Sequence, residues 1–271
     1  MTVDVERYRV RPGAGSIWDQ VDPGEPGGNY EGRAAIEART VADLAALQPL
    51  QERLFAEKQQ SLLVILLAID TGGKDSTVRH VFGGINPQGC HVTGFSAPTP
   101  EERSHDFLWR IHPHVPPKGI IGIFNRSHYE DVTVPVAHGT HTWEQIERRY
   151  EHIRDFEQVL IESGTAIVKF HLRISKDEQA ERLRDRLEDP EKHWKFDPND
   201  LVERGRWDLY QDAFRRAIEA TSTEHAPWYI VPANRKWYRD AIVTGVVLET
   251  LQTMNPQFPP PVENIEQYRV E

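Results

Sequence analysis

A chain of 271 residues, 38% hydrophobic and 27% charged, is long enough to bury one substantial core, and a single main domain is expected. A formal net charge of −10 excludes a general nucleic-acid binder, so any polyanionic substrate has to be drawn by a local basic surface. One cysteine, Cys90, excludes an internal disulfide; with no secretory apolar segment and a longest apolar run, residues 62–69, too short to span a bilayer, a soluble cytoplasmic protein without membrane partners is expected.

Residues 1–40 read as an N-terminal arm, because GAGS and DPGEPGG supply turn residues and little periodic hydrophobicity; the arm is expected to wrap the surface or stay partly disordered. Val41, Leu44, Leu47, Leu54 and Phe55 predict a helix over 41–59, broken or restarted near Pro49. The central stretch follows. Residues 62–77, LLVILLAIDTGGKDST, give an apolar run that stops at a small polar turn and then takes up helical spacing at Val78, Val81 and Phe82. That is a buried parallel strand, a phosphate loop and a helix.

The loop keeps the Gly-Lys of the phosphate-binding consensus but has Ala68 at its first glycine and Asp75 where a hydroxyl would hold magnesium. Gly72 and Gly73 let backbone N–H groups approach phosphate oxygens, the helix offers its positive end, and Lys74 adds a point charge. Asp70 and Asp75 would repel a polyanion unless divalent metal intervened, so the loop asks for Mg²⁺ or Mn²⁺, with Asp70 the better ligand. The histidines at 112, 114, 138 and 141 lack a closing set of ligands.

A second strand is expected over 90–95, and Pro98 and Pro100 open a helix carrying residues 105–110. The third strand, 119–124, ends in Asn125-Arg126-Ser127-His128-Tyr129-Glu130-Asp131, a second chemical cluster, since the carboxyl ends of parallel strands line the ligand crevice. A long amphipathic helix over 143–163 and a fourth strand over 165–172 follow. Ser175 caps a helix on which Arg182 and Arg186 share a face while Arg184 points elsewhere. Pro190 ends it, and Lys192 to Lys195 continue a cation-bearing, lid-like segment over about 176–205. One helix over 200–222, a fifth strand over 228–231, a closing helix over 235–254 and a Pro-rich tail over 255–271 complete the chain. Alternating strands and helices mean an α/β sandwich of three layers, with a central parallel sheet of about five strands.

With both clusters and the arginine helix located, residues 41–254 resemble the polyphosphate kinase 2 family. The resemblance rests on DTGGKDST, GGINPQGC, EERSHDFLWR, IGIFNRSHYEDV, ISKDEQAERLRDRLEDPEKHWKF and APWYIVPANRKWYRD. It implies a P-loop-kinase fold with a mobile helical lid, inorganic polyphosphate as donor, AMP, ADP or ATP as nucleotide, Mg²⁺ or Mn²⁺, and a homo-oligomer, dimer or tetramer. Carried over, Asp70 is the metal residue, and Asp70, Lys74, Arg126, Arg182 and Arg186 are catalytic. The expected substrate-binding set is Gly72, Gly73, Asp75, Ser76, Asn125, Ser127, Glu130 and Lys195. FNRSHYED, with Glu130 after the tyrosine, is similar to the branch that accepts AMP as well as ADP. Two cations common in relatives are missing, one within residues 134–138 and one at Ser96, and Lys118 stands where arginine is common. Two other readings stay open: an ATP-dependent nucleoside monophosphate kinase, and a non-catalytic polyphosphate- or nucleotide-binding relative.

Overall fold

The computed structural model describes residues 3–26 and 32–270. Six strands form one sheet: β1 (Arg9–Val10), β2 (Ser61–Leu67), β3 (Cys90–Gly94), β4 (Ile121–Asn125), β5 (Thr165–Arg173) and β6 (Trp228–Pro232), in the order β1-β6-β5-β2-β4-β3. All neighbours are parallel except β1 on β6. The sheet therefore has one strand more than expected, supplied by the arm. A two-residue strand leaves no periodic pattern to read; it exists because the edge of β6 offers unpaired backbone groups, Arg9 lying opposite Tyr229 and Val10 opposite Trp228.

Every residue of β2 is buried, as the apolar run demands, because helices cover both faces. The helices are α1 (Arg33–Glu57), α2 (Lys74–Phe82), α3 (Pro100–Ser104), α4 (Glu130–His138), α5 (Trp143–Glu162), α6 (Lys176–Glu188), α7 (Asn199–Arg204), α8 (Trp207–Thr221) and α9 (Lys236–Met254). Among the described residues none is long and apolar enough to cross a membrane.

Four expectations need correction. Helix α1 begins eight residues earlier than 41 and runs through Pro49 without a break. Its buried Leu47, Gln51 and Leu54 lie on one face, and packing that face outweighs the hydrogen bond that Pro49 removes. Helix α3 stops at Ser104, because the Asp106 carboxylate accepts from the backbone of Leu108 and Trp109 at 3.0 and 3.1 Å and so competes with helical bonding. The helix expected over 200–222 is two, α7 and α8, parted at Gly205 and Arg206. Residues 130–138, in which no full helix was foreseen, form α4 through Pro135.

Candidate active site

The carboxyl ends of β2, β3 and β4 and the lid-like segment enclose a cleft of about 590 Å³, room for a nucleotide-sized ligand. Seven cations and five carboxylates line it, so the cleft is locally basic on an acidic chain. Its floor is the loop after β2. Gly73 has φ +104°, and a Cβ there would lie 2.4 Å from Arg239 Nη1; at Gly72 a Cβ would lie 2.5 Å from that of Ala68. Only glycine fits either place. Thr71 and Arg126, both non-glycine, also have positive φ, 65° and 66°, a strained backbone conformation held by its surroundings on two sides of the same cleft.

Lys74 Nζ donates to the carbonyl of Ala68 at 2.7 Å. Burial lowers the affinity of this ammonium for its proton, while Asp70 and Glu130 act in the opposite sense. Arg126 Nη2 pairs with Asp70 Oδ1 at 3.0 Å, and Asn125 Nδ2 donates to Asp75 Oδ1 at 2.6 Å, so the second cluster meets the loop directly. Glu130 begins α4 and faces Lys74 and Arg126; burial raises its carboxyl above the ordinary range despite both cations. Ser76 lines the cleft with its hydroxyl turned back to the Gly73 carbonyl at 2.9 Å. Ser127 is fully buried beneath the turn, where its Oγ accepts from Tyr129 N at 3.2 Å, and it lies outside the cleft lining.

From α6, Arg182 and Arg186 line the cleft, and Arg184 is exposed on another face. Arg182 donates Nη1 to the Thr71 carbonyl at 2.9 Å and Nη2 to the Ala233 carbonyl at 2.7 Å. Arg186 pairs with Asp200 Oδ2 at 2.9 Å and also donates to the Lys195 carbonyl. Burial, with the charge of Asp70, pushes the Asp200 carboxyl up to about 6, Arg186 opposing. Lys195 lines the same wall beside the exposed Trp194. Of the missing cations, Ser96 lies in the cleft lining, whereas residues 134–138 lie outside it; Lys118 Nζ is spent on the Ser163 carbonyl.

Several lining residues escaped the sequence reading: Thr71, Phe95, Asp200 and Lys236. Lys236 follows β6, and the rule that strand ends line the crevice was sufficient to find it. Arg239, fully buried behind the loop, donates Nη1 to Ser76 Oγ at 3.0 Å and is neutralised by Asp240 at 2.6 Å.

Among the described residues no group of three or more His, Cys, Asp or Glu side chains is placed to cage a metal ion. The donor set fits Mg²⁺ all the same, since that ion is commonly held by one or two carboxylates, water and substrate phosphates, and Asp70 and Asp75 both line the cleft.

A parallel sheet with a phosphate loop at its centre and a cation-bearing helical segment over the strand ends is the construction of a phosphotransferase. The chain belongs to the polyphosphate kinase 2 family, whose description matches residues 31–259. It is 47% identical over 269 residues to the AMP/ADP-polyphosphate phosphotransferase of Meiothermus ruber, a match spanning 98% of this chain and 100% of the other. To the ADP-polyphosphate phosphotransferase of Rhodopseudomonas palustris it is 39% identical over 278 residues, spanning 96% and 93%. The crystal structure of polyphosphate kinase 2 from Arthrobacter aurescens TC1 superposes with a TM-score of 0.92 at 48% identity, covering 96% of this chain and 93% of that one.

Proposed function

We propose that this chain moves the terminal phosphate of inorganic polyphosphate onto a nucleoside phosphate, with both AMP and ADP as acceptors. The observation that carries the reading is the convergence of Lys74, Arg126, Arg182 and Arg186 on one cleft beside Asp70, in a member of the polyphosphate kinase 2 family. The acceptor range named for the Meiothermus ruber relative supports AMP as well as ADP.

In this reading an anionic phosphate oxygen of the acceptor attacks the terminal phosphorus of the donor in line. The new P–O bond forms as the bond to the next phosphate breaks, and the electron pair leaves with the shortened chain. No general base is required, because the acceptor oxygen is already deprotonated; the protein positions two polyanions and offsets their charge. Lys74 and the N-terminus of α2 hold phosphate oxygens over the loop. Arg126 spans the two substrates from the end of β4, and Arg182 and Arg186 hold the donor from above. Asn125 orients Asp75, and Glu130 offsets the charge of Lys74 and Arg126 when the cleft is empty. Asp70, with Asp75 lining the same cleft, would hold Mg²⁺ or Mn²⁺, which would supply neutralisation of the phosphate charge. Assembly into a dimer or tetramer is expected on the family resemblance, and light scattering reads it.

The test is nucleotide formation from AMP, and separately from ADP, with Mg²⁺ and polyphosphate of short and of long chain, resolved by chromatography. ADP and ATP are expected from AMP. ATP formed only from ADP narrows the acceptor range. Phosphorylation of AMP by ATP without polyphosphate identifies a nucleoside monophosphate kinase instead, and polyphosphate binding without turnover identifies a non-catalytic relative.

A further inference from the structure

Residues 18–24 of the arm carry none of the chemistry proposed above, yet they are seated at the base of the lid-like helix α6. Trp18 is buried, with its ring stacked on His171 at 5.1 Å and the guanidinium of Arg173 4.6 Å from its centroid. Arg173, the last residue of β5, donates Nη1 to the carbonyls of Trp18 and Val21, the second at 2.8 Å. Two residues further on, Ser175 caps α6 through its Oγ, which accepts from Glu178 N at 3.1 Å.

The arm also reaches the loop after β6. Asn234 N donates to the Pro23 carbonyl at 3.1 Å. The side chain of Asn234 then closes on Ser175 twice, Oδ1 accepting from Ser175 N at 2.9 Å and Nδ2 bonding Ser175 Oγ at 3.1 Å. The carbonyls of Ala233 and Asn234 accept from Arg182 Nη2 at 2.7 and 3.3 Å, and Arg182 Nη1 rests on the Thr71 carbonyl of the phosphate loop. Both junctions that set where Arg182 stands, β5 to α6 and β6 to α9, are thus bonded to the arm.

We propose that residues 18–24, acting through Arg173 and Asn234, are a positioning element for the lid arginines in donor binding. Neither Arg173 nor Asn234 lines the cleft, and Asn234 meets its lining only through the backbone carbonyl that accepts from Arg182; their side chains fix the start of α6, and a helix start displaced by about 1 Å is carried as a rigid body to Arg182 and Arg186. A misplacement of that order is enough to change turnover by roughly tenfold to a hundredfold. The inference rests on the phosphotransferase reading, and wild-type turnover in the same assay decides that reading before any variant is measured.

The experiment compares wild type with Arg173→Met, Arg173→Lys and Asn234→Ala in the full chain. Each is assayed for kcat, for KM toward polyphosphate and KM toward AMP, and for tryptic cleavage within residues 184–195 with and without polyphosphate. Arg173→Met and Asn234→Ala are expected to raise KM for polyphosphate or lower kcat by roughly tenfold or more, with KM for AMP within about twofold of wild type, and to speed cleavage of the segment. Arg173→Lys is expected to restore part of the loss, because one ammonium can still serve one carbonyl. Asn234 is only half-buried and leaves the arm packed when shortened, so it reports even if Arg173→Met fails to fold. Wild-type kinetics and cleavage in Asn234→Ala, or losses that fall equally on donor and acceptor and follow melting temperature, overturn the proposal.

Discussion

Lys169 and Glu157 form an ion pair in the middle of the fold, with side-chain exposures of 0% and 2% and an N–O distance of 2.5 Å. Lys169 Nζ also donates to Tyr129 OH at 3.0 Å and to the Thr221 carbonyl at 2.9 Å, and Tyr129 OH donates to the other Glu157 oxygen at 2.8 Å. Burial pushes the Glu157 carboxyl upward, but Lys169 and His128 outweigh it and hold it below the ordinary range. Replacing Lys169 by Met leaves a carboxylate in the core without its cation, a defect worth about 3–5 kcal/mol. For a domain approaching this size that is a fall in melting temperature of roughly 6–20 °C. Replacing both partners, Lys169→Met with Glu157→Leu, removes the orphaned charge and should recover most of the loss, leaving about 1–3 kcal/mol for the unpaired Tyr129 hydroxyl and Thr221 carbonyl. Thermal unfolding followed by calorimetry on the two single variants and the double variant reads this directly. A double variant whose loss is the sum of the two single losses, or a shift below about 2 °C in Lys169→Met, would refute the account of the pair as mutually compensating charges. Tyr129 closes the turn that carries Arg126, so the single variant should lose more turnover than the double.

Gly73→Ala should destabilise by about 2–5 kcal/mol, from positive φ and from a Cβ driven into the buried Arg239, and should lower turnover more than Gly94→Ala at the end of β3, where a Cβ meets only one carbonyl at 3.8 Å. Lys74→Met should cut kcat by about 10²–10³-fold with the melting temperature little changed, as read by nucleotide chromatography and calorimetry. His171 is pushed down to about 3 by burial, with Arg173 and Lys74 adding to the effect. Its unfolded form takes up a proton below about pH 6.5 while the folded form does not, so stability falls as pH drops from there toward 3. Urea unfolding as a function of pH should show a shallower fall over that window in His171→Phe.

The central strand and loop were legible because an all-buried strand has to be a continuous apolar run, and few sequences other than a phosphate loop follow such a run with Gly72-Gly73-Lys74. That Arg182 and Arg186 share one helix face was legible from spacing, whereas their place over the cleft was expected from the family resemblance. What the spacing withheld was tertiary. Glu130 was expected to bind substrate from its place in the second cluster, but its electrostatic coupling to Lys74 across the loop is a property of the fold. Arg239 sits on a helix with little apolar asymmetry, and nothing local marks it as the wall behind Gly73. Pro49 reads as a helix break, yet α1 continues because its buried face is held by neighbours rather than by its own hydrogen bonds. Ser127 was expected to bind substrate from its place in the motif, and the fold buries it beneath the turn, where its Oγ accepts from Tyr129 N.

Most cations of the cleft already have protein partners: Lys74 rests on Ala68, Arg126 on Asp70, Arg182 on Thr71 and Ala233, and Arg186 on Asp200. A phosphate entering here does not fill a bare basic groove; it exchanges with acceptors that the protein itself supplies. Affinity is then a difference between two sets of bonds, and a ligand that can satisfy only one cation gains little from displacing a partner. Only a ligand with several phosphates in sequence can displace several partners together. A single orthophosphate, able to satisfy few of these cations at once, has less to gain from that exchange than a chain of linked phosphates.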